Sequence, residues 1–203
     1  MRPAQPITLY GYKLSGHSHR AELMLRLLGL PFAFQEIDIF AGAQRTEAFL
    51  KLNPFATVPV IDDGGTVVAD SVAILVYLAN RYDPDGEWLP ADPVQAAAVQ
   101  RWLSAAQGLL AFGPARARVI LKFKRNYDLG AAQDLAARLF KVLDAELAQR
   151  PFLTGARPTL ADVALYSYTA VSPEGGIDLA QYPAIQPWLK RVEALPGFEG
   201  MPQ

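Results

Sequence analysis

The chain has 203 residues, of which 51% are hydrophobic, enough for one large folded domain or two small ones. Its 19 lysine and arginine residues nearly balance its 20 aspartate and glutamate residues, so the net charge of -1 gives no reason to expect a nucleic acid or an anionic membrane as a partner. The sequence contains no cysteine, which excludes a disulfide bond, a cysteine nucleophile and a thiolate metal site.

The first part of the chain alternates short β-rich runs with helical ones. Ile7–Tyr12 predicts a strand, and the helix after it places Ala21 and Met24 on one face before Gly29 ends it. There follow a second strand (FAFQEIDI), a short helix (RTEAFLKL), two strands joined by the hairpin signal DGG, and a helix that is apolar on nearly every side (SVAILVYLANRY). The order β-α-β-α-β-β-α predicts an α/β domain with one parallel strand pair and an antiparallel hairpin.

The second part of the chain has a different composition. A linker rich in Pro, Gly and Asp at 84–92 separates residues 1–83 from residues 93–203, where no convincing strand is predicted. Long helical patterns follow there, at roughly 94–112, 115–124, 131–149, 160–171 and 184–194. Thr159 and Asp162 form a capping-box pattern at the start of one of them. We therefore predict an all-α helical bundle as the C-terminal domain.

Pro59 lies inside an apolar run, VPVI, that otherwise predicts a buried strand. Proline cannot donate a hydrogen bond to a neighbouring strand. It therefore marks either an edge strand or strand start, or a cis-proline that holds the preceding backbone open for a ligand. The residues of this run leave both interpretations open.

Four segments together resemble the cytosolic glutathione S-transferases, in a serine-type, bacterial-like form. NPFATVPVIDDGGTVVADSVAILVYL resembles their glutathione-binding half, and LSGHSHRAELMLRLLGLPF resembles the first loop and helix of the serine-type members. RPTLADVALYSY and YPAIQPWLKRVEALPGF resemble segments of their C-terminal domain, so the match runs from about Ile7 to Phe198. The resemblance implies a thioredoxin-like N-terminal domain and glutathione as co-substrate.

The resemblance also implies the positions that bind glutathione. Pro59 is expected to be cis, so that the backbone of Val58 pairs with the cysteinyl part of the peptide. Asp70 and Ser71 are expected to hold the γ-glutamyl ammonium and carboxylate at a helix N-terminus, although both residue types are also ordinary N-caps. The candidate partners of the glycyl carboxylate are Gln44, Arg45 and Lys51. Each of them could equally be a solvated surface residue.

The loop KLSGHSHR is expected to hold the chemistry. In the serine-type relatives a serine soon after the first strand faces the glutathione sulfur, and by position this is Ser15. Lowering the pKa of a thiol by two units from about 8.5 requires roughly 2.7 kcal/mol of preferential stabilisation of the anion. A hydroxyl hydrogen bond and the helix N-terminus could supply much of it. Ser18 is the competing candidate, with a helix N-cap as its alternative role.

The second substrate has only weak sequence signals. The candidates for its pocket are Tyr12, His17, Phe112 and Arg116, with Arg118 as a further one. Each of these residues could instead pack in the core, lie in a solvated loop or carry a surface charge. His17 and His19 are the only histidines, and without cysteine they provide too few ligands for a metal site, so no metal is expected.

The sequence thus predicts a glutathione transferase that activates the glutathione thiolate for attack on an electrophilic or peroxide small molecule, with glutathione peroxidase as a possible side activity. The alternative is a non-catalytic binding or interaction protein on the same scaffold. The loop Ser15-Gly16-His17 lacks the Ser-Ser-Cys of the maleylacetoacetate isomerase branch, which argues against isomerase activity. A homodimer is expected. With no signal peptide and no membrane span recognised, a cytoplasmic location is expected as well.

Overall fold

The structure, a computed structural model, describes residues 2–202. The chain divides into two compact units. One comprises the chain up to Gly86 together with the segment from Leu195 onward, and the other is Glu87–Ala194. The domain boundaries at 1–83, 84–92 and 93–203 stay a sequence prediction. None of the helices within residues 2–202 has the length and apolar character needed to cross a bilayer.

The first unit is built on a four-stranded mixed sheet. Its elements are β1 (Ile7–Gly11), α1 (Gly16–Leu27), β2 (Phe32–Glu36), α2 (Glu47–Leu52), β3 (Val60–Asp63), β4 (Thr66–Ala69) and α3 (Ser71–Tyr82). The strands lie in the order β2-β1-β3-β4, with β1 parallel to β2 and antiparallel to β3, and with β3 antiparallel to β4. This confirms the predicted element order and the α/β thioredoxin-like fold class.

Local chemistry explains these elements. In β1 the buried Ile7 and Leu9 alternate with partly exposed residues, the period of a half-buried strand. The β3–β4 hairpin turns at Gly64 and Gly65, whose φ angles of +59° and +95° suit glycine, and Asp62 Oδ1 accepts a hydrogen bond of 2.7 Å from the Gly65 N–H. The apolar sequence of α3 predicts that neighbouring elements cover this helix on both sides. The structure agrees only in part, because Ala73 on that helix is exposed to solvent.

The second unit is a bundle of helices, as predicted. Its α-helices are α4 (Pro93–Ala105), α5 (Pro114–Phe123), α6 (Leu129–Leu147), α7 (Leu160–Ala170) and α8 (Ile185–Glu193). The single helix predicted for 94–112 differs from the structure in one respect. The α-helical part ends at Ala105, and Ala106–Leu110 continues as a π-helical turn, a local widening of the helix that is rare in proteins.

Helix α7 is buried along nearly its whole length, and its first turn forms the predicted capping box between Thr159 and Asp162. The buried Asp162 carboxylate accepts hydrogen bonds from the N–H groups of Thr159 (2.9 Å) and Leu153 (3.0 Å) and from Trp188 Nε1 (2.9 Å). Burial raises the pKa of Asp162, and these donors oppose that rise. The box therefore joins the start of α7 to two other parts of the bundle.

Candidate functional site

Three segments that are distant in sequence meet at one end of the sheet. Val60, the first residue of β3, pairs with Tyr10 near the end of β1 and with Ala69 at the end of β4. Because β3 runs antiparallel to both neighbours, the start of β3 lies beside the ends of β1 and β4. The loop after β1, the Val58-Pro59 dipeptide and Asp70 therefore lie at the same end of the sheet.

The peptide bond between Val58 and Pro59 is cis, which confirms that expectation. The preceding turn is held by Asn53, whose Nδ2 donates to Thr57 O (2.8 Å) and whose Oδ1 accepts from the Phe55 N–H (3.0 Å). Within residues 2–202 neither backbone group of Val58 takes part in a hydrogen bond. Both groups can therefore pair with an extended peptide added along this edge.

Asp70 is the N-cap of α3. Its Oδ1 accepts hydrogen bonds from the backbone N–H groups of Val72 (2.8 Å) and Ala73 (3.0 Å). Its φ of +80° is unusual for a residue other than glycine, and such backbone strain often occurs at functional sites. The N-cap role of Asp70 is thus confirmed, and its ligand role stays a prediction.

The two candidate serines differ in what surrounds them. Ser15 is the N-cap of α1, and its Oγ accepts a hydrogen bond of 3.3 Å from the Ser18 N–H. Ser18 is fully buried, and its Oγ accepts a hydrogen bond of 3.1 Å from the Tyr12 N–H. The N-cap role suggested for Ser18 is wrong, because α1 begins at Gly16 and Ser18 already lies in its first turn. Of these two residues, the partly exposed one is Ser15.

A buried cluster joins α1 to the start of α3. Arg20 Nη1 donates a hydrogen bond of 2.8 Å to Ser71 Oγ, and His17 Nδ1 lies 3.4 Å from both of these atoms. Burial and, second, the charge of Arg20 lower the pKa of His17 to about 3. Sequence reasoning missed Arg20. A signal existed, because Arg20 precedes Leu23 and Met24 by three and four residues and so shares their buried helix face.

The other predicted residues of the first unit have local partners. The backbone N–H of Tyr12 bonds to Ser18, and the ring of Tyr12 meets that of Phe40 edge-on at 5.6 Å. Gln44 is partly buried and donates to a nearby backbone carbonyl. Lys51 is exposed and forms an ion pair of 2.9 Å with Glu47, one turn earlier on α2. The ligand roles of Tyr12, Gln44 and Lys51 stay predictions.

The predicted residues of the second unit lie around α5. The guanidinium group of Arg116 lies over the rings of Phe112 (4.9 Å) and Tyr127 (4.6 Å), a cation–π contact with each. Arg118 is buried and forms an ion pair with Glu174. Partial burial raises the pKa of Glu174, but hydrogen bonds from Lys122 and Arg118 outweigh it and hold that pKa below its ordinary value. Arg118 thus has a structural role in the bundle.

A metal centre has no basis in the part of the chain that the structure describes. There, no three side chains of His, Asp or Glu form a group that could hold a metal ion.

Known proteins match the chain over almost its full length. Profiles of the glutathione S-transferase N-terminal and C-terminal domains match residues 14–81 and 107–196. Glutathione S-transferase 3 of Zea mays is 32% identical, with 96% of this chain and 92% of that protein covered.

Solved structures agree with this. A glutathione S-transferase from Pseudomonas fluorescens Pf-5 superposes with a TM-score of 0.92 and 35% identity, covering 98% of this chain and 100% of the other. A glutathione transferase homologue from Drosophila mojavensis, solved with bound glutathione, has a TM-score of 0.82 and 30% identity over 94% of this chain and 89% of its own.

Proposed function

The chain belongs to the glutathione S-transferase family of enzymes, and from that premise we propose that it activates the glutathione thiolate for attack on an electrophilic or peroxide small molecule. One observation carries the proposal. Three separate segments meet at one end of the sheet, and each offers a different part of the peptide a matching group. Val58 offers backbone hydrogen bonds to the cysteinyl unit, while Asp70 and Ser71 offer a helix N-terminus to the γ-glutamyl unit.

Ser15 is the proposed partner of the sulfur. As the N-cap of α1, its oxygen accepts from a backbone N–H, and its hydroxyl proton remains to be donated. A thiolate placed there would also interact favourably with the positive end of the α1 dipole. Both effects stabilise the anion over the thiol, which is the requirement for a lowered pKa.

The reaction follows from this activation. The bound thiolate attacks an electrophilic carbon, a carbon–sulfur bond forms, and the leaving group departs with its bonding electron pair. A peroxide is attacked at oxygen, so that its O–O bond breaks, an alcohol leaves and glutathione sulfenic acid forms. The thiol of a second glutathione then attacks the sulfenic sulfur, water leaves, and glutathione disulfide forms. Much of the rate enhancement comes from keeping the sulfur ionised and close to the second substrate.

The remaining assignments are part of the same proposal. The glycyl carboxylate is assigned to Gln44 or Lys51. The candidates for contact with the second substrate are Tyr12, His17, Phe112 and Arg116. We expect a homodimer in the cytoplasm.

A titration with glutathione tests the proposal. The ultraviolet absorbance of the thiolate is followed for the purified protein at pH values from 5 to 9. We expect saturable binding and a thiolate signal at neutral pH, where free glutathione is mostly a thiol. Binding without the thiolate signal would favour the non-catalytic alternative. Absence of binding at millimolar glutathione would contradict the transferase proposal altogether.

A further inference from the structure

Packing alone does not explain the cluster of Arg20, His17 and Ser71. Arg20 and Ser71 are both almost completely buried, and the 2.8 Å hydrogen bond between them connects α1 with the first residue of α3. Ser71 is also the residue at which the γ-glutamyl carboxylate is proposed to bind. A buried guanidinium therefore touches the hydroxyl group that is expected to contact a ligand anion.

The chemistry of the guanidinium fixes where the protons lie. Arginine can only donate hydrogen bonds, so Ser71 Oγ and His17 Nδ1 both act as acceptors toward Arg20 Nη1. His17 Nδ1 therefore carries no proton, and a neutral His17 has its proton on Nε2. The lowered pKa of His17 agrees with this neutral state. In this cluster of three residues, the positive charge is on Arg20.

The hydroxyl proton of Ser71 has two possible acceptors. Without a ligand, His17 Nδ1 lies 3.4 Å away, and its one lone pair can accept the hydroxyl hydrogen bond in place of the bond from Arg20 Nη1. With a carboxylate at the start of α3, the proton can turn to that stronger acceptor. The backbone N–H of Ser71 has no acceptor within residues 2–202, since Asp70 accepts from Val72 and Ala73 instead. Ser71 can thus offer two donors to one carboxylate.

We propose that Arg20 is a positioning residue for the γ-glutamyl carboxylate of glutathione. Arg20 donates a hydrogen bond to Ser71 Oγ, and this orients the Ser71 hydroxyl so that its proton points to the ligand. The positive charge of Arg20, buried behind Ser71, further favours an anion there, because screening by water is weak in a buried site. His17 keeps the hydroxyl proton in place when no ligand is bound. This inference rests on the proposed function and deepens it.

The test compares two ligands and two variants. The ligands are glutathione and its analogue with a 4-aminobutyryl group in place of the γ-glutamyl group, which lacks only the α-carboxylate. The variants are Arg20→Gln, which removes the charge, and Arg20→Lys, which retains it without the planar donor group. Titration calorimetry gives Kd for each pair, and steady-state kinetics give KM and kcat.

We expect Arg20→Gln to weaken glutathione binding by about ten- to a hundredfold, the size typical of a charge-assisted hydrogen bond. KM for glutathione should rise by a similar factor, while kcat at saturating glutathione changes by less than about threefold. The analogue should bind the wild-type protein weakly, and Arg20→Gln should change its Kd by less than about twofold. Arg20→Lys should lie between the wild type and Arg20→Gln.

Equal weakening of both ligands by Arg20→Gln would overturn the inference, because it would indicate a purely structural role. If the variants do not fold, nuclear magnetic resonance of the arginine-labelled wild type decides. Glutathione should shift the Arg20 guanidinium signal and the analogue should not, and a signal that responds to neither overturns the inference. Failure of the proposed function is distinguishable, because the wild type would then bind neither ligand.

Discussion

The Ser15 hydroxyl caps α1 and is the proposed partner of the glutathione sulfur, so the change Ser15→Ala should have two separable effects. Loss of the cap should lower the free energy of unfolding by about 1 kcal/mol. Loss of the donor should lower kcat at saturating glutathione by about 10- to 100-fold, equivalent to one or two units of thiol pKa. Ser15→Thr, which keeps the hydroxyl and can still cap, is the matched control. Unchanged kcat in Ser15→Ala would refute the assignment.

His17 gives the protein a predicted dependence of stability on pH. Its pKa is about 3 in the folded protein, because of burial and the nearby Arg20, against about 6.5 when unfolded. The unfolded chain therefore binds more protons between these values, and stability is fully present above pH 6.5 and lost as the pH falls toward 3. The loss reaches at most about 1.4 kcal/mol per pH unit for one histidine.

Urea unfolding of the wild type and His17→Gln at pH 7, 6 and 5 measures this effect. The variant should lose less stability between pH 7 and pH 5 than the wild type does. His19 is a necessary comparison, because burial lowers its pKa also, and His19→Gln should flatten the profile as well. Parallel profiles for the wild type and His17→Gln would show that His17 is not held neutral by the fold.

At the residue scale, sequence reasoning found the positions whose signals are local. Asp70 could be predicted because an acidic residue before a helix is visible in a few consecutive letters. The proline in the strand left two interpretations open, and only the resemblance favoured a cis bond at Pro59. The burial of Arg20 could be predicted from its helix face, but its hydrogen bond to Ser71 could not, since only the packing of α1 beside α3 brings the two residues together. Ser18 was misread because the start of α1 depends on which of two serines caps it.

At the scale of elements, the first turn of α7 offers a graded test of stability. Thr159→Ala removes one cap and should lower the free energy of unfolding by about 1 kcal/mol. Asp162→Ala removes the acceptor of three N–H groups, two from outside α7, and leaves buried donors unsatisfied. It should cost about 3 kcal/mol or more. Urea unfolding measures both, and equal costs would contradict the central role of Asp162.

The order of elements could be predicted from hydrophobic periodicity and turn residues, but the form of one helix could not. Residues 94–112 have a continuous helical pattern, whereas the structure changes to a π-helical turn at Ala106–Leu110. Such a turn has i→i+5 hydrogen bonds in place of the i→i+4 bonds of an α-helix. The continuous apolar pattern does not mark where that change occurs, so the sequence predicted a single α-helix.

At the scale of the whole chain, the last segment is held by contacts across the entire sequence. His19 Nε2 lies 2.9 Å from the Glu199 carbonyl oxygen, and Arg26 pairs with the Glu199 carboxylate at 2.7 Å. Gly197, at a φ of +84°, lies so close to Arg26 O that a side chain at this position would clash. These contacts place the segment from Leu195 onward with the first unit, although its sequence simply continues the helical half.

Within residues 2–202, Phe55 has the greatest exposure among the large apolar side chains, which bears on the expected homodimer. Phe55 is 84% exposed, on the turn before β3, where its backbone N–H donates a hydrogen bond to Asn53 Oδ1. A Phe exposed to this degree is better explained by burial against a second copy than by the single chain. Light scattering after size exclusion should therefore give twice the mass of one chain.

Phe55→Ser should raise the dimer Kd by at least about tenfold, since burying a Phe contributes roughly 1.5–3 kcal/mol. Val142→Ser, at a 49% exposed position on α6, is the control and should leave the dimer intact. A monomeric wild type, or a dimer equally weakened by both changes, would contradict this role of Phe55.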